Sequence, residues 1–403
     1  MRHPSRHIFE HNPDALREWC VAHGMAAYRA EQVLDWVYVK RIADPAAMSN
    51  LSKADRVALA RGMMFLSGNV VKHQSATDGT QKLLVEWGET EASETARQLA
   101  TAGNRDSETR GGEPDGDGDR AGRGVALPVL NSAAEVEPEA GPRSPQTECV
   151  MIPSEDRNTA CISSQVGCPV GCRFCASGIG GLEGNLSAGR IVEQVWRLNQ
   201  LLPESRISNV VFMGMGEPLA NLSSVVKAVR TICTLPPGGM GISARKVTIS
   251  TVGLPKAIER LAEQLDMPVT LALSLHAPND DLRRKLIPWA EYTTIKELLA
   301  ACQKWFDKTG REITLEYTVL RGINDLPEHA VELSQVAKTL RANVNLIRYN
   351  EVDALEFKRP RDEDVREFQR VLKARNVNTH IRRSRGRDIA AACGQLRHEA
   401  AGV

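Results

Sequence analysis

From Cys161 onward, short runs of β-branched and apolar residues alternate strictly with amphipathic helical stretches, and no other feature limits the possible folds as much. The predicted strands are Val210 to Met213, Val247 to Ser250, Val269 to Leu275, Ile313 to Leu320, Val344 to Ile347 and Thr379 to Arg382. Helical segments accompany them at Arg190 to Leu201, Leu222 to Thr231, Pro255 to Gln264, Ile295 to Lys308, Ala330 to Arg341 and Asp362 to Arg375. Strands and helices in this order predict an α/β fold, a parallel sheet covered by helices and closed or partly closed into a barrel. Such barrels carry their chemistry at the C-terminal ends of the strands.

The 403 residues exceed what one core of that size needs, so a second module is expected. Residues 1–70 read as helical: Asn12 and Pro13 form a cap and first-turn pair, Gly24 is a stop, Arg29 to Lys40 carries an apolar stripe, and Ser52 caps Lys53 to Arg61. Residues 71–88 and 147–160 read as a β-hairpin leading into the core, and 161–398 as the barrel with a C-terminal cysteine loop. Between the hairpin strands, 89–146 is rich in Gly, Asp, Glu, Ser, Thr and Pro and is expected to be a disordered, dispensable insertion. It holds twelve acidic and six basic residues, so the remainder of a chain of net charge +1 carries +7. A basic remainder is compatible with a polyanionic partner. No run approaches the roughly 20 apolar residues of a membrane span. Scattered cysteines such as Cys20, Cys149, Cys233 and Cys302 suggest a reducing, cytoplasmic setting rather than a disulfide framework.

Cys168, Cys172 and Cys175 follow the spacing C-x3-C-x2-C. Three thiolates in one loop suit a cubane cluster with one iron left open for chemistry. Zinc, with Cys161 as a fourth ligand, is the alternative, although structural zinc more often uses two paired knuckles. Phe174 stands where it would shield the cluster. A further cysteine, Cys393, lies in the small-residue context A-A-C-G-Q-L.

The triplet with an aromatic before its last cysteine resembles the radical S-adenosylmethionine (SAM) superfamily, and Met213 to Pro218 (M-G-M-G-E-P) resembles its glycine-rich SAM-binding element. Thr147 to Gln165, V-F-M-G-M-G-E-P-L-A-N, V-T-I-S-T-V-G, L-S-L-H-A-P-N-D and R-G-R-D-I-A-A-A-C-G-Q-L together resemble the dual-specificity RNA adenine-C2 methyltransferases of the RlmN type, with the Cfr-type C8 methyltransferases as close relatives. The resemblance implies a partial (β/α)6 radical SAM barrel, a [4Fe-4S] cluster on Cys168, Cys172 and Cys175, and two SAM molecules per turnover. It implies that Cys393 carries the methyl group, that Cys161 resolves the RNA adduct through a transient disulfide, and that Glu148, placed on the strand opposite Trp87, accepts a proton. Gly216, Glu217, Ser250, Ser274, Leu275, His276 and Asn350 correspond to SAM contacts. The implied partners are 23S rRNA, tRNA and an electron donor such as flavodoxin, with the chain a cytoplasmic monomer.

Adenine C2 lies between two ring nitrogens and offers no lone pair to an electrophilic methyl, which is why a radical route suits it. For RNA phosphates, the expected contacts are Arg382, Arg383, Arg385 and Arg387, with Arg283, Arg284 and Lys285. The N-terminal module is expected to grip folded RNA, with Trp36 and Tyr38 either stacking on bases or in the core. Leu182 and Gly184, in G-L-E-G-N-L, replace an aromatic and an arginine of the family pattern. Three other readings stay open on residues alone: the same chemistry at C8, a radical SAM activase of a protein or peptide, and a zinc-stapled RNA-binding protein.

Overall fold

The computed structural model describes residues 7–88 and 145–396. The expected insertion therefore lies outside the described residues except at Pro145 and Gln146, and Gln146 already begins a strand.

In the N-terminal module, α1 (Pro13–Ala22) starts where the Asn12 side chain accepts the Ala15 amide at 2.8 Å, and it is followed by Gly24 at φ +75°. Helix α2 (Arg29–Leu34) widens into a π-helical turn at Asp35–Val39 instead of continuing regularly to Lys40. Trp36 there lies under the Lys40 ammonium at 3.9 Å, whereas Tyr38 is buried. Helix α3 (Lys53–Gly62) opens on a Ser52–Asp55 capping box. The module is sewn to the barrel by polar contacts across apolar packing. The Trp196 indole donates to Val37 O at 2.9 Å, and Arg41 donates to the carbonyls of Asn199, Leu202 and Ser205.

Ten strands form one sheet. Strands β1 (Gly68–Ser75), β2 (Gln81–Trp87), β3 (Gln146–Pro153) and β4 (Asn158–Cys161) pair antiparallel in that order. From β4 the pairing turns parallel through β7 (Asn209–Phe212), β8 (Val247–Thr251), β9 (Thr270–Ser274), β10 (Ile313–Val319), β11 (Ala342–Arg348) and β12 (Thr379–Arg382). A short hairpin, β5 (Gln165–Gly167) with β6 (Leu182–Asn185), brackets the cysteine triplet. Helices α4 (Ala188–Gln200), α5 (Leu222–Cys233), α6 (Pro255–Gln264), α7 (Asp280–Leu286), α8 (Ile295–Thr309), α9 (Pro327–Lys338) and α10 (Asp362–Ala374) fill the crossovers. The expected strand–helix series is thus present, with β4 as an additional first barrel strand that the residue pattern does not announce.

Period-two alternation assigns the faces. Leu271, Leu273, Leu315, Tyr317, Val344 and Leu346 point outward and are buried against the helices. The inward row runs Ser274, Glu316, Asn345, His380 across β9 to β12 in register, and Thr318, Ile347 and Arg382 form the next row toward the strand ends. The barrel interior is therefore polar, leaving room for a ligand rather than a packed plug. Among the described residues no helix is long and apolar enough to cross a membrane.

Candidate active site

Cys168, Cys172 and Cys175 sit in the β5–β6 connection, half-buried beside Val170, Phe174, Ala277, Ile287 and Tyr349. Gly171, at φ +65°, and Gly178, where an added Cβ would lie 3.0 Å from the Gly171 Cα, let the loop fold back tightly. Phe174 packs edge-on to His276 with centroids 5.0 Å apart and closes one side. Burial raises the Cys168 thiol to about 12 and the Cys172 thiol well above its usual range, and the neighbouring thiolates of the triplet push both the same way. Desolvated thiols that repel one another as thiolates suit a bound cationic group. Among the described residues no trio of His, Cys, Asp or Glu side chains converges where a single metal ion would sit. Three thiolates in one loop fit a cubane, in which each takes a different iron.

The three cysteines line a cavity of about 150 Å³ together with Gly214, Gly216, Glu217, Ser250, Ser274 and His276. Gly216 is at φ +100°, and a Cβ there would lie 2.6 Å from Gln165, so only glycine fits. The Glu217 carboxylate is a strut: it accepts the amides of Leu219 at 2.9 Å and Val252 at 2.8 Å, and burial raises it to about 6 despite those bonds. Ser250 and Ser274 hydroxyls lie 3.2 Å apart. His276, at φ +58°, accepts the Thr318 amide on Nδ1, and burial, assisted by Arg283, lowers it to about 3, so the ring is neutral. Two expected members stand elsewhere. Leu275 is fully buried behind its strand, with its amide on Glu316 O, and Asn350 lines a second, wider cavity and donates to Cys393 O at 3.4 Å.

That second cavity, about 730 Å³, runs through the polar barrel interior, with Arg157, Arg245 and Lys246 beside Glu155 and Asp156 at the strands' N-terminal ends and Arg383 and Arg385 just after β12 at the other. Cys161, at the end of β4, lines it, and Cys393 lines both cavities. Burial raises the Cys161 thiol to about 12, with the Cys393 sulfur pushing it further up and Arg382 drawing it down. The two thiols, remote in sequence, thus meet across one space. The Cys393 loop is held by Gly394 O accepting the Ala176 amide at 2.8 Å and Leu396 O accepting the Ser177 hydroxyl at 2.6 Å, next to the triplet.

Glu148 lines neither cavity. It pairs in register with Leu84, not with Trp87, because Trp87 already bonds Pro145 O and its indole donates to Thr147 Oγ1. Nor is it the solvated strand residue that a lone glutamate usually is: it lies buried against Lys82 at 2.6 Å. The basic clusters also divide. Arg283 is fully buried, donating to the carbonyls of Leu275 and Val252, so it supports the loops after β8 and β9 and reaches no phosphate. Arg382 turns inward and lines both cavities, with Nη1 on Met213 Sδ at 3.2 Å. Lys82 and Glu316 are absent from the sequence expectations, and Arg382, expected on phosphate, faces the cavities instead. For Glu316 a signal existed, an ionisable residue in a run of apolar and β-branched residues that must be buried.

Residues 7–64 match the family model described as the ribosomal RNA large subunit methyltransferase N-terminal domain, and residues 162–333 match the radical SAM superfamily. A Thermosynechococcus vestitus protein named "Probable dual-specificity RNA methyltransferase RlmN" is 40% identical over 382 residues, covering 95% of each chain. A Gloeobacter violaceus protein of the same name is 38% identical over 95% of this chain and 93% of its own. This chain belongs to the RlmN family. A radical SAM methyltransferase from Sphaerobacter thermophilus shares the fold with a TM-score of 0.81 and 35% identity, covering 97% of this chain and 99% of that one. In this RlmN-family chain, the residues that fit a [4Fe-4S] cluster and SAM are those around the narrower cavity.

Proposed function

We propose that the chain methylates C2 of an adenine in RNA, 23S rRNA and tRNA, by radical SAM chemistry. One observation carries this reading: Cys393 stands at the junction of the cysteine-lined cavity and the wide cavity that Arg383 and Arg385 line. When bound, the cluster and SAM supply a deoxyadenosyl radical able to remove hydrogen from an unactivated methyl group. Cys393 carries the methyl carbon as a thioether and presents it to the base. Cys161 attacks the Cys393 sulfur to free the product. Glu148, beside Lys82 and behind the Cys393 loop, takes the C2 proton once that loop shifts. Gly216, Glu217, Ser250, Ser274 and His276 frame the SAM site, Leu275 contributes through its backbone, and Asn350 steadies Cys393. Arg383 and Arg385, after β12 and nearest the Cys393 loop, take the phosphates of a strand whose target base is splayed from its stack. The relatives' RlmN names favour C2 over C8. The setting is a cytoplasmic monomer reduced by a flavodoxin-like donor.

Anaerobic incubation of the reconstituted protein with total RNA, a reductant and SAM bearing a deuterated methyl group tests this reading. The expected product is 2-methyladenosine that has lost one deuterium from its new methyl, and none with Cys393→Ala, which keeps its iron. Fully deuterated methyl, or 8-methyladenosine, overturns it.

A further inference from the structure

Glu316 is the acidic group that faces the middle of the barrel, away from Glu155 and Asp156 at the wide cavity's far end. Its side chain, 3% exposed, lines both cavities from the middle of β10. Asn345 donates to Oε1 at 3.1 Å, while the buried Oε2 has no hydrogen-bond partner. A carboxylate oxygen left without a donor in a buried setting is costly, so a ligand that supplies a donor is favoured there. One row nearer the strand ends stands Arg382, a guanidinium with several donors whose hydrogen bond is to a thioether sulfur. An acceptor and a donor on adjacent rows beside the Cys393 sulfur are complementary to the edge of a base.

We propose that Glu316 and Arg382 read the target adenine, Glu316 accepting from the exocyclic amino group and Arg382 donating to ring nitrogen N1. The assignment rests on the RNA-methylating reading above. N1 borders C2, so the residue closer to Cys393 meets the atom closer to the reacting carbon. A hydrogen bond at N1 also draws density from the ring, which eases radical addition at C2. Guanine and uracil put a carbonyl oxygen where adenine has its amino group, and that oxygen would face the carboxylate. The exposed cations at the ends of the cavity, Arg245 and Lys246 before β8 and Arg383 after β12, can hold phosphate. An acceptor-only carboxylate in the middle of the barrel cannot, and it selects a base with a donor. The ribose hydroxyls of SAM are donors of the same kind, so the test must separate the two.

The test uses the SAM-loaded holoenzyme and an RNA stem-loop presenting an unpaired adenosine, either intact or with that adenosine replaced by purine riboside, which lacks the amino group, or by 6-methoxypurine riboside. RNA affinity, methylation and equilibrium dialysis of SAM are read on the same preparations. The wild type is expected to prefer adenosine over purine riboside by about 10- to 100-fold. In Glu316→Ala this ratio should fall to near one, with SAM affinity unchanged. Glu316→Gln, which keeps the side-chain volume if the alanine variant folds poorly, should gain affinity for 6-methoxypurine, because its amide can donate to the oxygen. An unchanged adenosine-to-purine ratio in both variants overturns the proposal. So does loss of SAM affinity with the ratio intact, which would assign the carboxylate to the cofactor. Failure of the wild type to methylate the adenosine stem-loop overturns the underlying reading as well.

Discussion

Lys82 Nζ lies 2.6 Å from Glu148 Oε1 with both side chains almost wholly buried, and the same ammonium donates to Ala390 O at 3.3 Å, three residues before Cys393. The β1–β2 turn adds to this grip: Asp78 accepts the Gly386 amide at 3.1 Å, and Asp388 accepts the Thr77 amide at 2.9 Å. The antiparallel extension of the sheet thus positions the loop that carries the central thiol.

Removing one partner of a buried pair leaves an uncompensated charge. Lys82→Met is expected to destabilise the protein by about 3–5 kcal/mol in urea unfolding, and Lys82→Met with Glu148→Leu to recover most of that. A double variant as unstable as the single one would show that the ion pair is not the source.

Glu193, on α4, clamps the N-terminal module through His7 at 2.9 Å, the Ser67 amide at 2.8 Å and the Gly68 amide at 3.1 Å, with Arg197 alongside. Burial by itself would raise its carboxyl, but His7, Arg197 and Ser67 outweigh burial and bring it down to about 2. A carboxyl lowered on folding contributes fully above its unfolded value, near 4.5, and the contribution is lost as pH falls through about 2. Between about pH 5 and pH 2 the wild type should lose roughly 3 kcal/mol more stability than Glu193→Gln. Parallel pH profiles for the two would reject this.

Arg383 and Arg245 are exposed at the wide cavity's rim, whereas Arg283 is enclosed. Each rim substitution to alanine is expected to weaken RNA binding and to reduce the slope of log affinity against log salt by about 1. Arg283→Met should leave that slope unchanged and lower the unfolding midpoint instead, because two buried carbonyls lose their donor.

The ends of the hairpin meet at Trp87 N and Pro145 O, 2.8 Å apart, and Glu86 pairs with Gln146. Replacing residues 90–143 by a short turn is therefore expected to preserve cluster loading and methylation, and to raise stability by about 1–2 kcal/mol through cheaper loop closure. Lost activity in a folded, iron-loaded deletion variant would give those residues a function.

Strands β7 to β12 were legible because each is a β-branched run set off by a helix. Their bounds differ from the pattern by no more than two residues. Strand β4, N-T-A-C, was not, because it lacks an apolar run and is a strand only through pairing with β3 and β7. Strand β1 was missed because it lies on the sheet edge with most of its side chains in water, which removes the burial alternation. Arg283 was misread because A-P-N-D-D-L-R-R-K looks like a solvated face, and only the packing of α7 under the β9 loop buries one of its three cations.

The sequence alone determined the strand–helix rhythm, the cysteine triplet and the glycine-rich turn, because period and spacing act over a few residues. Only the tertiary structure decided that Cys161 and Cys393 share a cavity, that Lys82 holds Glu148, and that Glu316 and Arg382 face inward on adjacent rows. Those neighbours follow from sheet register and from the curvature that brings β3 and β4 round to β12, and both are set by the sum of long-range packing rather than by any local run of residues.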